Sequence, residues 1–203
     1  MHILTQIILS IGCSLEMLNL LCQVIDLVFE RNDTAFGSLQ HRHDIATLED
    51  RVNRLQQHPP QTKDVESPEI VHVIETAELY RLATLIYLHQ VATSFSKPNI
   101  SELVNRAFVI LRDIWICERP FPLFIIGIEA RNDDERMLVL TIIAETLKAR
   151  PSGNIIAVRQ MLEAAWVRED WSLNQTAENQ QERDWKGLID GLVSVWRVPP
   201  SFT

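Results

Sequence analysis

Apolar residues recur every three or four positions along most of this chain, the spacing of helices buried on one side, and no stretch alternates convincingly as a half-buried strand would. Leu15, Leu18, Cys22, Ile25 and Phe29 predict a first amphipathic helix after Ser14. Ile45, Leu48, Val52 and Leu55 predict a second, ended by Pro59-Pro60, because a proline ring cannot continue the helical ladder. Residues 57–67, QHPPQTKDVES, read as a polar link rather than a domain boundary, since the helix pair before them is too small to fold alone. Ser67-Pro68 places an N-cap before a proline at the first helical position, opening a helix predicted to reach about Ser94. On that helix Leu79, Leu82, Ala83 and Ile86 line one face while Leu85, Leu88 and Ala92 line another, so it is predicted to be central and buried on several sides.

Beyond Pro98, Asn99 with Glu102 has the spacing of a capping box for a helix to about Cys117, striped by Leu103, Ala107, Ile110, Leu111 and Ile114. The block RPFPLFIIGIEARNDDER, residues 119–136, follows. Its prolines fix the backbone, an apolar run passes through Gly127 to Glu129-Ala130-Arg131, and Asn132 with Glu135 predicts the cap of a new helix. That helix carries Met137, Leu140, Ala144 and Leu147 and stops at Pro151. Another starts at Asn154 with Ile155, Val158, Leu162 and Ala165, then Asp170 to Gln181 reads as a polar loop. A last helix places Trp185, Leu188, Ile189, Leu192 and Trp196 on one face. The expected fold class is all-α, with seven or eight helices packed as antiparallel pairs in a bundle or short solenoid.

A chain of 203 residues buries enough surface for one substantial core, so residues 1–203 are expected to form a single helical domain. Hydrophobic residues make up 46% and charged ones 23%, which excludes a disordered tail. The opening MHILTQIILSIGC lacks the basic residue of a signal peptide and is too short to span a bilayer; it reads as a helix stub cut from a longer domain. No membrane contact is expected. The net charge of −8, from 19 basic and 27 acidic residues, gives no surplus with which to neutralise phosphates, so no direct DNA binding by this chain is expected.

Candidate chemistry is sparse. Cys13, Cys22 and Cys117 are too far apart for a zinc cluster and lie in apolar settings, the pattern of small core residues in a reducing compartment. His41 and His43, two apart on a helix, point to different faces and do not suit a shared metal. No nucleophile elbow, phosphate-cradling glycine loop or zinc-protease pattern occurs, so no metal, no cofactor and no catalytic residue is assigned. Tyr80, Arg81 and Tyr87, on the central helix, could line an effector pocket, since a tyrosine offers apolar area with a polar tip, although core packing of both rings is the alternative. Trp115 and the other tryptophans pose the same choice between a ligand site and an interface. Glu129 and Arg131, like Glu135 and Arg136, read as surface or capping charges, with an ion-pair lock of the corner as the alternative.

Two blocks, AELYRLATLIYLHQ at 77–90 and RPFPLFIIGIEARNDDER at 119–136, resemble the fungal-specific transcription factor domain, the helical region that follows the binuclear zinc cluster in many fungal regulators. The resemblance runs from about Gly12, in the leucine-rich GCSLEMLNLLCQVIDL, to Trp196, in DWKGLIDGLVSVW. Phe121 stands where the family pattern has tryptophan and Ile128 where a small residue or cysteine is commoner. The six-cysteine cluster and its basic linker are missing. The resemblance therefore implies the C-terminal part of a regulatory domain without its DNA-reading part, acting in the nucleus through a small-molecule effector, a protein partner or a homodimer. The candidate effector-pocket or family-motif positions are Tyr80, Arg81, Tyr87, Trp115, Phe121, Glu129 and Arg131. Contacts are expected around Leu15 to Phe29 and on the face of Trp185 and Trp196. The alternative is a helical metabolite-binding protein or enzyme whose site is assembled from scattered residues.

Overall fold

The structure, a computed structural model, describes residues 4–29, 39–60, 67–92 and 100–175. Contacts divide the chain into two compact units, Met1–Ile114 and Trp115–Thr203. The described residues are predominantly helical, with seven helices and one two-stranded ladder among them.

The first unit opens with β1 (Ile7–Ile8) and β2 (Cys13–Ser14), antiparallel, with Ile7 opposite Ser14 and Ile8 opposite Cys13. The helix stub expected here is thus corrected: β-branched Ile7 and Ile8 suit extended backbone, and Gly12, at φ 84°, takes the left-handed conformation that closes the turn. His58 extends the ladder on the other side, accepting from Ile7 N–H at 2.8 Å and donating to the Thr5 carbonyl at 2.9 Å. These bonds explain why α2 (Leu39–Arg54) stops before Pro59-Pro60: the backbone that follows pairs with the strand. Gln57 reinforces the junction, accepting from Ser14 N–H at 2.8 Å and donating to the Ala77 carbonyl at 2.7 Å.

Helix α1 (Leu15–Phe29) begins where Ser14 Oγ accepts from Met17 N–H, a side-chain cap. Its buried stripe is Met17, Leu20, Leu21, Val24 and Leu27, not the expected Leu15, Leu18, Cys22 and Ile25. Leu15, Asn19, Cys22 and Asp26 instead form the exposed side, so Cys22 is not a core residue. α2 buries Ile45, Leu48 and Val52 as expected. α3 (Pro68–Ala92) is capped by Ser67, whose carbonyl accepts from Ile70 N–H at 3.0 Å and Val71 N–H at 3.1 Å. It is the central helix the pattern predicted: α1, α2, β1, β2 and α4 (Ser101–Ile114) all pack on it. Asn99 lies outside the described residues. α4 ends three residues earlier than expected, where Trp115 turns left-handed at φ 54°.

Side-chain pairs show the helix directions. Arg51 near the end of α2 meets Glu16 at the start of α1 at 3.1 Å. His89 and Arg81 of α3 face Glu49 and Asn53 of α2, and Arg106 of α4 reaches Glu78. α1 and α2, and α2 and α3, therefore run antiparallel, in line with the antiparallel pairs expected from the sequence, so that α1 and α3, which also pack together, run in the same direction.

The second unit contains α5 (Pro120–Ile128), α6 (Asp133–Ala149) and α7 (Gly153–Gln175). Every residue of α5 is buried. Pro120 occupies its first position, where the missing N–H costs nothing. Asn132 caps α6 as expected, its side chain accepting from Glu135 N–H at 2.9 Å, while Glu135 accepts from Arg131 N–H at 2.7 Å. The core side of α6 is Val139, Ile142, Ile143 and Thr146, correcting the predicted stripe of Met137 and Ala144, which are exposed. On α7 the expected Ile155, Val158, Leu162 and Ala165 are all buried. This helix continues through Asp170 to Gln175, where a polar loop was expected. The predicted helix over Trp185 to Trp196 lies outside the described residues. No described helix is long and apolar enough to cross a membrane.

Candidate functional site

In the first unit the tyrosine block lies on α3. Tyr80 is fully in the core, and its carbonyl accepts from Thr84 Oγ1 at 2.8 Å. Seven residues on, two helical turns away, Tyr87 shares that face, and burial pushes its phenol above the usual range. Arg81 points to the side. Its guanidinium forks onto Glu78 at 2.8 and 2.7 Å and reaches Asn53 of α2 at 3.5 Å, and the bond to Glu78 holds it charged. Glu78 also takes Arg106 at 2.9 Å, so one carboxylate serves two cations and joins α3 to α4. Further along, the buried His89 places Nε2 3.5 Å from Glu49 Oε1; burial lowers its pKa and Glu49 opposes the shift.

In the second unit the corner is built on α5. Phe121 is buried and Trp115 is 65% exposed. Glu129, at 1% exposure, closes the end of α5 by donating its N–H to the Ile126 carbonyl, and its carboxylate lies 3.9 Å from the exposed Arg131 guanidinium. The carbonyl of Gly127 accepts twice, from Ala130 N–H at 3.2 Å and from the buried Trp166 indole N–H at 3.1 Å. Arg136 stands 5.6 Å above the Trp166 ring, the distance of a cation–π contact. The same guanidinium binds Asp170 at 3.1 and 3.0 Å and Glu169 at 3.4 Å. Its bond to Asp170 raises its pKa further.

Of the positions singled out by sequence, Tyr80, Arg81 and Tyr87 thus belong to one helix of the first unit. Trp115, Phe121, Glu129 and Arg131 belong to the second, where Glu129 and Arg131 come within ion-pair distance. The lock that ties α5, α6 and α7 uses Arg136, for which an ion-pair lock was the alternative reading, together with two residues that sequence reasoning did not single out for it, Trp166 and Asp170. One signal was available, since a buried indole N–H must find an acceptor. Thr146 was also missed; its hydroxyl accepts from Cys117 N–H at 2.9 Å, anchoring the chain before α5.

Chemically these groups hold rather than react. Burial pushes the Cys117 thiol up to about 11, so it stays neutral and a poor nucleophile near neutral pH. Among the described residues no three histidine, cysteine or acidic side chains gather in a way that could hold a metal ion.

Comparison with known proteins adds to this geometry. Residues 3–194 match the family model of the fungal specific transcription factor domain. Transcription factor iacI of Pestalotiopsis fici is 34% identical over 95 residues, which are 46% of this chain and 25% of that protein. The match thus spans about a quarter of the length of that curated relative. No solved structure matches the chain.

Proposed function

Because the chain belongs to the family of the fungal specific transcription factor domain, we propose that it is a non-catalytic regulatory domain of a fungal transcription regulator, working in the nucleus through an effector or a protein partner. The observation that carries this reading is the family match over residues 3–194, which runs across both compact units and favours their working as one regulatory domain. A relative named as a transcription factor agrees with it. Of the candidate positions, Tyr87 and Arg81 suit effector contact best, one carrying a half-buried phenol and the other a charge held by Glu78 on the same helix.

The acidic balance of the chain leaves sequence reading of DNA to another segment or protein. Fusing residues 1–203 to a foreign DNA-binding domain in a fungal reporter strain tests the proposal, with an electrophoretic shift of the unfused chain as its control. The fusion is expected to raise or lower reporter output and the unfused chain to leave duplex DNA unshifted at moderate salt. A fusion with no effect in either direction, from a chain that is folded and nuclear, overturns the regulatory reading.

A further inference from the structure

The solvent side of α7 carries Ile156, Val167 and Trp171, which are 45%, 57% and 68% exposed. Single exposed apolar residues are ordinary. These three, however, lie in line: at about 100° per residue they fall within about 60° of one another around the helix, on a strip that also holds exposed Gln160 and Ala164. The opposite face of the helix is already used, with Ile155, Val158, Leu162 and Trp166 buried. From Ile156 to Trp171 the strip runs about 22 Å.

Two properties of the strip select what fits it. Its side chains are placed symmetrically about its middle, with the large Ile156 and Trp171 at the ends, Gln160 and Val167 one turn inside them, and the small Ala164 near the centre. Charge along one flank is complementary when reversed. Arg159 and Asp170 stand on the same flank near opposite ends, with Glu163 between them. Arg159 holds Glu163 at 2.8 Å within the helix. Asp170 binds Arg136 yet keeps 53% of its side chain exposed. A copy of α7 turned end for end sets Arg159 against Asp170 twice, whereas a parallel copy sets like charge against like.

We propose that this strip is an interface with a second copy of the chain, the two α7 helices packing antiparallel about a two-fold axis near Ala164. In that arrangement Ile156 of each copy meets Trp171 of the other, Val167 meets Gln160, and Arg159 approaches Asp170. The two Glu163 carboxylates near the axis are each held by the Arg159 of their own helix. Ala164 against Ala164 lets the helix axes approach to about 8 Å, the close end of helix packing. The contact is small, so association in the micromolar range is expected rather than anything tighter. It supplies a protein partner for the proposed regulatory domain without resting on that role: a chain that dimerises here and leaves the reporter unchanged keeps this inference and loses the other.

Light scattering and sedimentation velocity on residues 1–203 test the association, and a cross-link tests its geometry. The average mass is expected to climb from that of one chain toward twice that value between about 1 and about 100 μM. Val167→Asp and Trp171→Asp, both at exposed positions, should hold the protein at the mass of one chain throughout while circular dichroism stays that of the wild type. In a Cys22→Ser background, which removes the exposed thiol, Ala164→Cys should form a disulfide-linked dimer under mild diamide at least about tenfold faster than Thr141→Cys on the exposed side of α6, because only a residue near the axis meets its own copy within disulfide reach. A single-chain mass at every concentration, which would leave the strip to a different occupant, overturns the proposal. So does a dimer that survives both aspartate substitutions, or one in which Ala164→Cys links no faster than Thr141→Cys.

Discussion

A methyl group built on Gly127 would stand 2.7 Å from Leu162 Cδ1 and 3.3 Å from Val139 Cγ1, and both of those side chains are fully buried, with no solvent to swing into. Overpacking of this kind costs about 1–3 kcal/mol, against roughly 1 kcal/mol that alanine gains over glycine inside a helix. Gly127→Ala is therefore expected to lower stability by about 1 kcal/mol in urea unfolding; a variant more stable than the wild type would mean that Leu162 has room to move. A second residue couples stability to pH. Burial depresses the pKa of His89 in the folded chain, with Glu49 opposing it, while the unfolded chain takes up its proton near the ordinary value of about 6.5. Just below that pH the unfolded state holds more protons, so acidification removes stability there. Between pH 7 and 5.5 the urea midpoint should fall less in His89→Gln than in the wild type, and equal slopes would show that His89 protonates freely when folded. Legibility at this scale follows sequence distance. Asn132 and Glu135 could be read as a cap because their partners are three or four residues away. Gly127 and Trp166 could not be paired in advance, because each has its function only when α5 meets α7.

Elements were easiest to place where proline or a cap punctuates them and hardest to orient where leucine occupies more than one side. The start of α3 at Ser67-Pro68 and of α6 at Asn132 agree with the reading, and α3 is central because its apolar residues surround it. The faces of α1 and α6 were misjudged although the helices were found. In α1 the decisive signal was the polar pair Asn19 and Asp26, which marks the same exposed side as Leu15 and Cys22. In α6 the buried side includes Thr146, a polar residue whose hydroxyl serves Cys117 across the unit, so a hydrophobic stripe alone pointed elsewhere. The β1–β2 ladder escaped notice because two-residue strands have no period to detect. Helix α5 was legible as an apolar corner, and the structure explains its unbroken run: all of it is buried. Phe124→Ala should accordingly cost about 3–5 kcal/mol. Urea unfolding checks this, and a loss below 1 kcal/mol would place the ring against a loosely packed neighbour.

For the molecule as a whole, the question raised by two compact units is whether they fold as one. The length of the chain led to the expectation of a single domain, and the family match crosses the boundary between Ile114 and Trp115. Neither observation measures cooperativity, but the distribution of aromatic residues makes the measurement direct. All five tryptophans, Trp115, Trp166, Trp171, Trp185 and Trp196, belong to the second unit, and both tyrosines, Tyr80 and Tyr87, belong to the first. Tryptophan fluorescence therefore reports the second unit alone, while far-ultraviolet circular dichroism reports helices in both. If a regulatory domain transmits an effector or partner signal between its parts, those parts must share an equilibrium that both can bias. The expected outcome is a single urea transition with coincident fluorescence and dichroism curves. Phe124→Ala, in the second unit, should then shift both curves equally and also speed the exchange of α3 amides in the first. A dichroism curve with a second step that the fluorescence lacks, and that Phe124→Ala leaves in place, would mean two independently folding domains, and the regulatory signal would have to pass through their association instead of through a common core.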